Sequence, residues 1–183
     1  MSLTEEAKNA VIEIIKGGGD IGAALIDASA KITDTAIKDA TVVGEDTVAA
    51  PVKIVKAAIH GASDTGTATT EAAEHIVTGV VSSVSRSAID TEKGVASVAE
   101  EALIAAHQTT GRVEGAAIGI VRGAIEGAKR TGGDVGVTTE AAVRGVINGA
   151  KNIGTDAVKT VTKEVTTGIQ GTQKIVDKIL GKE

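Results

Sequence analysis

The sequence predicts an all-α protein built from a repeated helical unit. The evidence is self-similarity with a period of 22 residues, aliphatic positions that follow a helical period, and glycines at recurrent places. The clearest pair of copies is 121–129 (VRGAIEGAK) and 143–151 (VRGVINGAK). Stepping by 22 in both directions keeps this register, which is typical of a repeat architecture. We therefore predict an N-terminal helical cap at 1–10 and a single repeat domain at 11–183, with eight units that start at residues 11, 33, 55, 77, 99, 121, 143 and 165.

Aliphatic residues recur at fixed positions of the unit. The fifth position is large and aliphatic in every copy: Ile15, Ile37, Ile59, Val81, Leu103, Ile125, Ile147 and Ile169. The first position reads Val11, Thr33, Val55, Val77, Ala99, Val121, Val143 and Val165. Six turns of about 3.67 residues make one unit, so positions one, four, five and eight fall within roughly 100° of one another. This pattern predicts an amphipathic helix, and the alternation expected of a strand is absent from the sequence.

A second set of positions lies on the opposite side of the predicted helix. The third and seventh positions form small-xxx-small pairs, namely Ala57/Gly61, Gly79/Ser83, Gly123/Gly127 and Gly145/Gly149. Each glycine inside a helix costs about 1 kcal/mol relative to alanine, so a compensating interaction is expected. Close approach of two helix backbones is such an interaction. The alternative is that repeat duplication has carried tolerated glycines along.

The unit also contains a recurrent glycine at its twelfth position. An Asp follows two residues later in three copies, at Asp46, Asp134 and Asp156. Glycine is favoured just past the end of a helix and Asp at the start of one, so this pattern predicts a break between helices. The five glycines are Gly22, Gly44, Gly66, Gly132 and Gly154.

The spacing of these breaks predicts how the helices are arranged. Asp46, Asp90 and Asp134 are 44 residues apart, which indicates that two units form one antiparallel hairpin. We expect helices of about 16 to 18 residues, a usual length in globular proteins, stacked as an α-solenoid or elongated bundle. Pro51 fits near a helix start, and Ser2 with Glu5 has the form of a capping box. The alternative is one long hendecad helix in a coiled coil, roughly 270 Å in length.

Composition limits the classes of partner. The 24 acidic and 19 basic residues are interspersed and give a net charge of −5, and the chain contains no Phe, Tyr or Trp. Nucleic-acid binding is not expected, since there is neither a basic stripe nor an aromatic platform for bases. The first residues lack the features of a signal peptide, and no apolar run approaches the roughly 18 residues of a membrane span. A cytoplasmic protein is expected, at most peripheral on a lipid surface.

We predict no catalytic, cofactor-binding or metal-binding residues. Residues 17–22 (GGGDIG) match the dinucleotide-binding pattern, but the other units are helical at the equivalent place. The repeat does not bring the three histidines together, and the carboxylates show no sign of a shared apolar pocket. The serines of the fourth unit lack a strand-turn-helix elbow and a matched histidine. These groups are His60, His75 and His107; Glu100, Glu101 and Glu114; and Ser82, Ser83, Ser85 and Ser87.

Two segments carry a resemblance to known families. Residues 154–161 (GTDAVKTV) and 158–165 (VKTVTKEV) are rich in Val, Thr and Lys and poor in aromatics. They resemble the 11- and 22-residue amphipathic repeats of synucleins, perilipins and exchangeable apolipoproteins, and late-embryogenesis desiccation proteins share the 11-residue period. The resemblance spans nearly the whole chain and implies helices that form on a membrane, droplet or lipoprotein surface. This sequence departs from it in two ways, because its lysines do not flank the apolar stripe in every unit and its glycines favour a self-packed fold.

The sequence therefore predicts a non-enzymatic structural or scaffold protein that self-packs or self-assembles through its Ala, Gly and Val helix faces. Its expected partner is itself or another protein, with no small-molecule substrate and no nucleic acid. The alternative is a lipid-surface coat of the perilipin or phasin kind, in which the aliphatic stripe meets lipid.

Overall fold

We analysed a computed structural model that describes residues 2–67 and 69–182. The described residues are helical or in short connections, without a strand, which confirms the all-α prediction. Their nine helices are α1 (Leu3–Gly17), α2 (Ile21–Val43), α3 (Ala49–Asp64), α4 (Thr69–Arg86), α5 (Thr91–Thr110), α6 (Ala116–Thr131), α7 (Val135–Ile153), α8 (Thr155–Gly168) and α9 (Gln173–Leu180).

The helices form two layers. The odd-numbered helices contact one another in series from α1 to α9, and the even-numbered helices do the same from α2 to α8. Each helix also packs against its neighbours in the chain, so the two layers lie face to face. The most extensive contacts join α4 with α6 and α5 with α7, inside the layers. This arrangement is an α-solenoid of stacked helix pairs, as predicted.

Neighbouring helices within a layer run parallel. Gly119 of α6 lies against Thr70 of α4, and Gly127 lies against Thr78, so the two helices run in the same direction. Two parallel helices of one layer start at the same side of that layer, so the helix between them must return the chain to that side. Consecutive helices therefore run antiparallel. The 44-residue period has the same origin, since Asp90 caps α5 and Asp134 caps α7 in one layer. The alternative of one long helix is wrong, since the longest described helix has 23 residues.

Local sequence explains most helix ends. Ser2 and Glu5 form the predicted capping box at α1. The Asp90 and Asp134 carboxylates accept the N–H groups of Lys93 and Val137, at 2.8 and 3.0 Å. A glycine in the left-handed region ends several helices, because only glycine adopts a positive φ without strain. These are Gly44, Gly111, Gly132 and Gly181.

One predicted break, at Gly22, and two predicted Asp caps, at Asp46 and Asp156, differ from the structure. Gly22 lies inside α2, because the Asp20 carboxylate already caps that helix by accepting the Ala23 N–H at 3.0 Å. Asp46 forms a turn by accepting the Val48 N–H at 2.9 Å, and Val48 rather than Asp46 is the N-cap of α3. Asp156 lies in the first turn of α8, where the N-cap is Gly154.

The helices also differ from the predicted units in length and in where they begin and end. They span 8 to 23 residues, because the connections vary and the last unit is interrupted before α9. Each helix from α1 to α8 joins the end of one unit to the start of the next, so the unit boundaries mark a register rather than helix ends. The boundary between residues 10 and 11 accordingly lies within α1.

The core is thin and continuous along the array. The first position of the unit is buried in all eight copies, with at most 2% of each side chain exposed. At the fifth position six copies are buried, and Ile15 and Ile125 are partly buried. Pro51 is buried in the first turn of α3, where its missing N–H needs no partner. Small aliphatic side chains therefore fill the space between the layers without aromatic residues.

Candidate functional surfaces

Glycines line the contact between α4 and α6. A Cβ atom on Gly119 would lie 2.5 Å from the Thr70 carbonyl oxygen, and one on Gly127 would lie 2.8 Å from that of Thr78. A Cβ atom on Gly123, between them, would overlap another carbonyl oxygen of α4. Real Cβ atoms do not approach oxygens so closely, so the separation of these helices requires glycine.

The same kind of contact recurs in both layers. Added Cβ atoms would lie 2.6 Å from the Lys8 carbonyl oxygen at Gly61 and 2.9 Å from the Glu100 carbonyl oxygen at Gly149. Gly79 and Gly145 lie equally close to α2 and α5, respectively. The predicted close approach of helices is confirmed, and its partner is the parallel neighbour within the layer. The Gly, Ala and Val faces are thus occupied inside the chain.

Polar groups accompany these contacts, with Ser83 buried and the ion pairs at the surface. The Ser83 hydroxyl donates to the Ala30 carbonyl at 2.8 Å, and Arg86 pairs with Asp34 at 3.1 Å. In the other layer Arg144 pairs with Glu92 at 2.6 Å. All these ion-paired side chains are well exposed, so each pair contributes little to stability and mainly fixes register.

One carboxylate joins two helices through backbone groups. The Glu164 oxygens on α8 accept the N–H of Gly115, the N-cap of α6, at 2.9 and 3.1 Å. Burial raises the pKa of Glu164, the Gly115 hydrogen bond opposes this, and the charge of Glu114 adds to it. The carboxylate lies at a helix N-terminus, where negative charge is favoured. Sequence reasoning missed this contact, although it pairs a glycine with a residue two helices away, as the other glycine contacts do.

The structure keeps the three histidines apart. The His75 ring lies over Gly22, where an added Cβ would be 2.9 Å from the ring, so it packs α4 on α2. His60 lines a groove between α1 and α3, and His107 lies near the end of α5. Among residues 2–67 and 69–182, no group of three or more His, Asp or Glu is arranged to hold a metal.

The glycine-rich segment, the serines and the glutamates considered above take part in connections, hydrogen bonds and ion pairs of the fold. Residues 18–20 connect α1 to α2 and follow a helix rather than a strand. Ser82 and Ser83 donate hydrogen bonds to the carbonyls of Thr78 and Ala30, at 2.8 Å in both cases. Glu100 accepts from Asn152 at 2.9 Å, and Glu101 pairs with Lys56 at 2.9 Å. The prediction that the chain has no catalytic or ligand-binding residue stays a prediction.

The two ends of the array carry apolar side chains that are only partly covered, and Val137 of α7 is also 43% exposed. We call the outward sides of α1 and α2 the N-edge, and those of α8 and α9 the C-edge. At the N-edge Val42 and Val43 are 78% and 66% exposed, whereas Val77 and Val121 in the middle are fully buried. The partly buried aliphatics of the end helices are Leu3, Ile14, Ile15 and Ile21 on one side and Val158, Ile175, Ile179 and Leu180 on the other.

None of the helices in the described part of the chain combines the length and the apolar character needed to span a bilayer.

Comparisons with known proteins find similarity among solved structures. No protein-family model matches the chain, and no curated protein matches it. The chain is similar to the crystal structure of a de novo designed helical repeat protein, at 19% sequence identity and a TM-score of 0.49. The match covers 97% of this chain and 96% of the designed one.

Proposed function

We propose that this protein is a non-enzymatic scaffold whose helical repeat array holds its outer surfaces at fixed spacing. The observation that carries the proposal is the use of the recurrent aliphatic and glycine positions of the unit in packing. The first position is buried in all eight copies, and six glycines of the third and seventh positions lie against neighbouring backbones, namely Gly61, Gly79, Gly123, Gly127, Gly145 and Gly149. The repeated residues therefore need no substrate or cofactor to explain them.

The proposed partners are proteins, including a second copy of this chain. The faces rich in Ala, Gly and Val serve self-packing within one chain, so the remaining surfaces would meet a partner. Those surfaces carry mixed charge, and the two edges also carry partly exposed aliphatic side chains. Mixed polar and apolar surfaces are typical of non-obligate protein interfaces.

A lipid coat is the alternative function. It requires the aliphatic stripe to face lipid, and the residues of that stripe lie between the layers. A coat would therefore require the array to open, with loss of the contacts between layers. The glycine contacts favour the closed array, because an isolated helix on lipid gains nothing from glycine.

Circular dichroism of the lipid-free protein, with and without anionic vesicles, tests the proposal. A scaffold should be strongly helical and melt cooperatively without lipid, and vesicles should leave its helicity unchanged. Helicity that appears only with vesicles would contradict the scaffold and support the coat. Small-angle scattering then checks the shape, since a solenoid of this length is far shorter than one long helix of roughly 270 Å.

A further inference from the structure

The two end segments of the array differ in charge. Residues 2–46, which include α1 and α2, contain nine acidic and four basic residues. Residues 155–182, which include α8 and α9, contain five lysines and three acidic residues. The segment that contains the N-edge is therefore acidic, and the segment that contains the C-edge is slightly basic, in a chain whose net charge is −5.

Helical register places part of this charge on the outward sides. The side of α1 that meets α3 carries Lys8, which pairs with Asp64 at 2.7 Å. At 100° per residue, Glu6 and Glu13 fall on the opposite side, and Ala10 lies beside Glu6. Both carboxylates are exposed, and neither takes part in an ion pair with another described residue.

The outward side of α8, at the C-edge, also carries charge. The side of α8 that meets α6 carries Glu164 and Gly168. Register places Lys159 on the opposite side, close to Thr162 and Thr166, and places Lys163 about 100° from Glu164, where its side chain is exposed. Lys163 has no ion-pair partner within the described residues, and Lys159 has only the fully exposed Asp156, at 3.5 Å.

We propose that a second copy of this chain docks its acidic N-edge onto the basic C-edge of the first, so that the arrays continue head to tail. The inference rests on the scaffold function proposed above and names its partner. Charge complementarity selects the pairing of unlike edges and disfavours the pairing of like ones. Docking would also cover the partly exposed aliphatics of both edges.

The contact is expected to be weak. An edge is two helices wide, and helices pack about 10 Å apart. The length of the edge is that of α8, about 20 Å at 1.5 Å per residue. Such a patch is smaller than the roughly 800 Å² per partner of a standard interface, and contacts of this size are transient. Association should therefore require high protein concentration and fall with added salt.

Sedimentation velocity of the whole chain tests the proposal, at up to about 1 mM protein and at about 0.02 M and 0.5 M salt. The first variant, Glu6→Lys with Glu13→Lys, makes the N-edge basic. The second, Lys159→Glu with Lys163→Glu, makes the C-edge acidic. The third combines all four changes and restores the wild-type net charge. Glu71→Lys with Glu126→Lys is the matched control, because it changes net charge as the first variant does on exposed residues of α4 and α6.

We expect the wild-type mass to rise with concentration at low salt. Either single-edge reversal should weaken association at least about tenfold, the combined variant should regain it, and the control should behave as wild type. A wild-type protein that stays monomeric, or reversals that change nothing, would overturn the proposal.

If a reversed variant does not melt cooperatively, the glutamine versions Glu6→Gln with Glu13→Gln and Lys159→Gln with Lys163→Gln replace it, and each should weaken association. Unchanged association in these neutral versions also contradicts head-to-tail docking. A protein that stays monomeric but melts cooperatively without lipid would contradict head-to-tail docking and would not contradict the scaffold function.

Discussion

At the level of single residues, the close contacts within each layer depend on the absence of a side chain. Gly123 gives the clearest case, because a Cβ atom there would overlap the Glu74 carbonyl oxygen of α4. The obstacle is backbone, so it cannot rotate away as a flexible side chain could. Replacement therefore has to separate two helices.

Gly123→Ala is expected to destabilise the protein by about 1 to 3 kcal/mol, the range for overpacking a close contact. The gain in helix propensity of about 1 kcal/mol does not offset this fully. Gly17→Ala is the matched control, since its Cβ would meet nothing within 4 Å and its φ is not positive. Urea unfolding measures both variants. Equal effects, or a more stable Gly123→Ala protein, would show that the contact is looser than described.

Glu164 shows how a single carboxylate can carry both a useful hydrogen bond and a burial cost. Its oxygens accept the Gly115 N–H, while burial raises its pKa. A raised pKa in the folded state means that the fold favours the protonated acid. Its contribution to stability is therefore complete below the ordinary glutamic acid pKa of about 4.3 and is lost as pH rises through the raised value.

Glu164→Gln should keep one acceptor for the Gly115 N–H and remove the charge. We expect it to be at least as stable as wild type at pH 7, with the difference shrinking as pH falls toward about 4. Glu164→Ala should lose about 1 kcal/mol, because it leaves the N–H without its acceptor. Unfolding curves across this pH range test the pair. A glutamine variant less stable than the alanine variant would contradict this account.

At the level of elements, α9 is attached to the array by few interactions. It has eight residues, and Val176 is its buried side chain. Lys178 pairs with Glu140 of α7 at 3.1 Å and lowers the pKa of that carboxyl, with a further contribution from Arg144. Because the pKa of Glu140 is lowered, the stabilisation is present at neutral pH and is lost as pH falls below about 4.

Glu140→Gln should therefore loosen α9 at neutral pH without unfolding the array. The effect is expected to be under about 1 kcal/mol, since the pair is partly exposed. Hydrogen exchange of the α9 amides measures it, and wild type should approach the variant as pH is lowered. Glu126→Gln, which removes the 3.7 Å pair with Arg130 on α6, is the control and should leave α9 unchanged. Faster exchange throughout the chain would mean that Glu140 supports more than α9.

The same helices show what the sequence could predict. Periodicity located the buried positions, because a residue such as Val55 or Val143 faces the layer interface wherever the 22-residue register holds. It could not locate Gly22 within a helix, because the local run of three glycines before Asp20 moves the helix start. It also could not assign Glu164 to Gly115, because a contact between parallel helices depends on how hairpins stack rather than on the unit itself.

At the level of the whole molecule, stability should vary along the array. In a repeat protein each unit contacts mainly its neighbours, so the end helices lose half of their contacts within a layer. Here the most extensive contacts join α4 with α6 and α5 with α7, and α9 has much smaller contacts with α7 and α8. The glycine contacts are also concentrated in the middle pairs.

Native-state hydrogen exchange should therefore show a gradient, with the slowest amides in α4 to α7 and the fastest in α1, α8 and α9. Central amides such as those of Val121 and Val143 should exchange only by global unfolding, with a free energy that matches urea denaturation. Amides near Val176 should exchange through local opening that is insensitive to urea. Gly123→Ala is an internal check, because it should lower protection in the centre more than at the ends. Uniform protection from α1 to α9 would instead mean that the array unfolds as one unit, and that its ends are held as firmly as its middle.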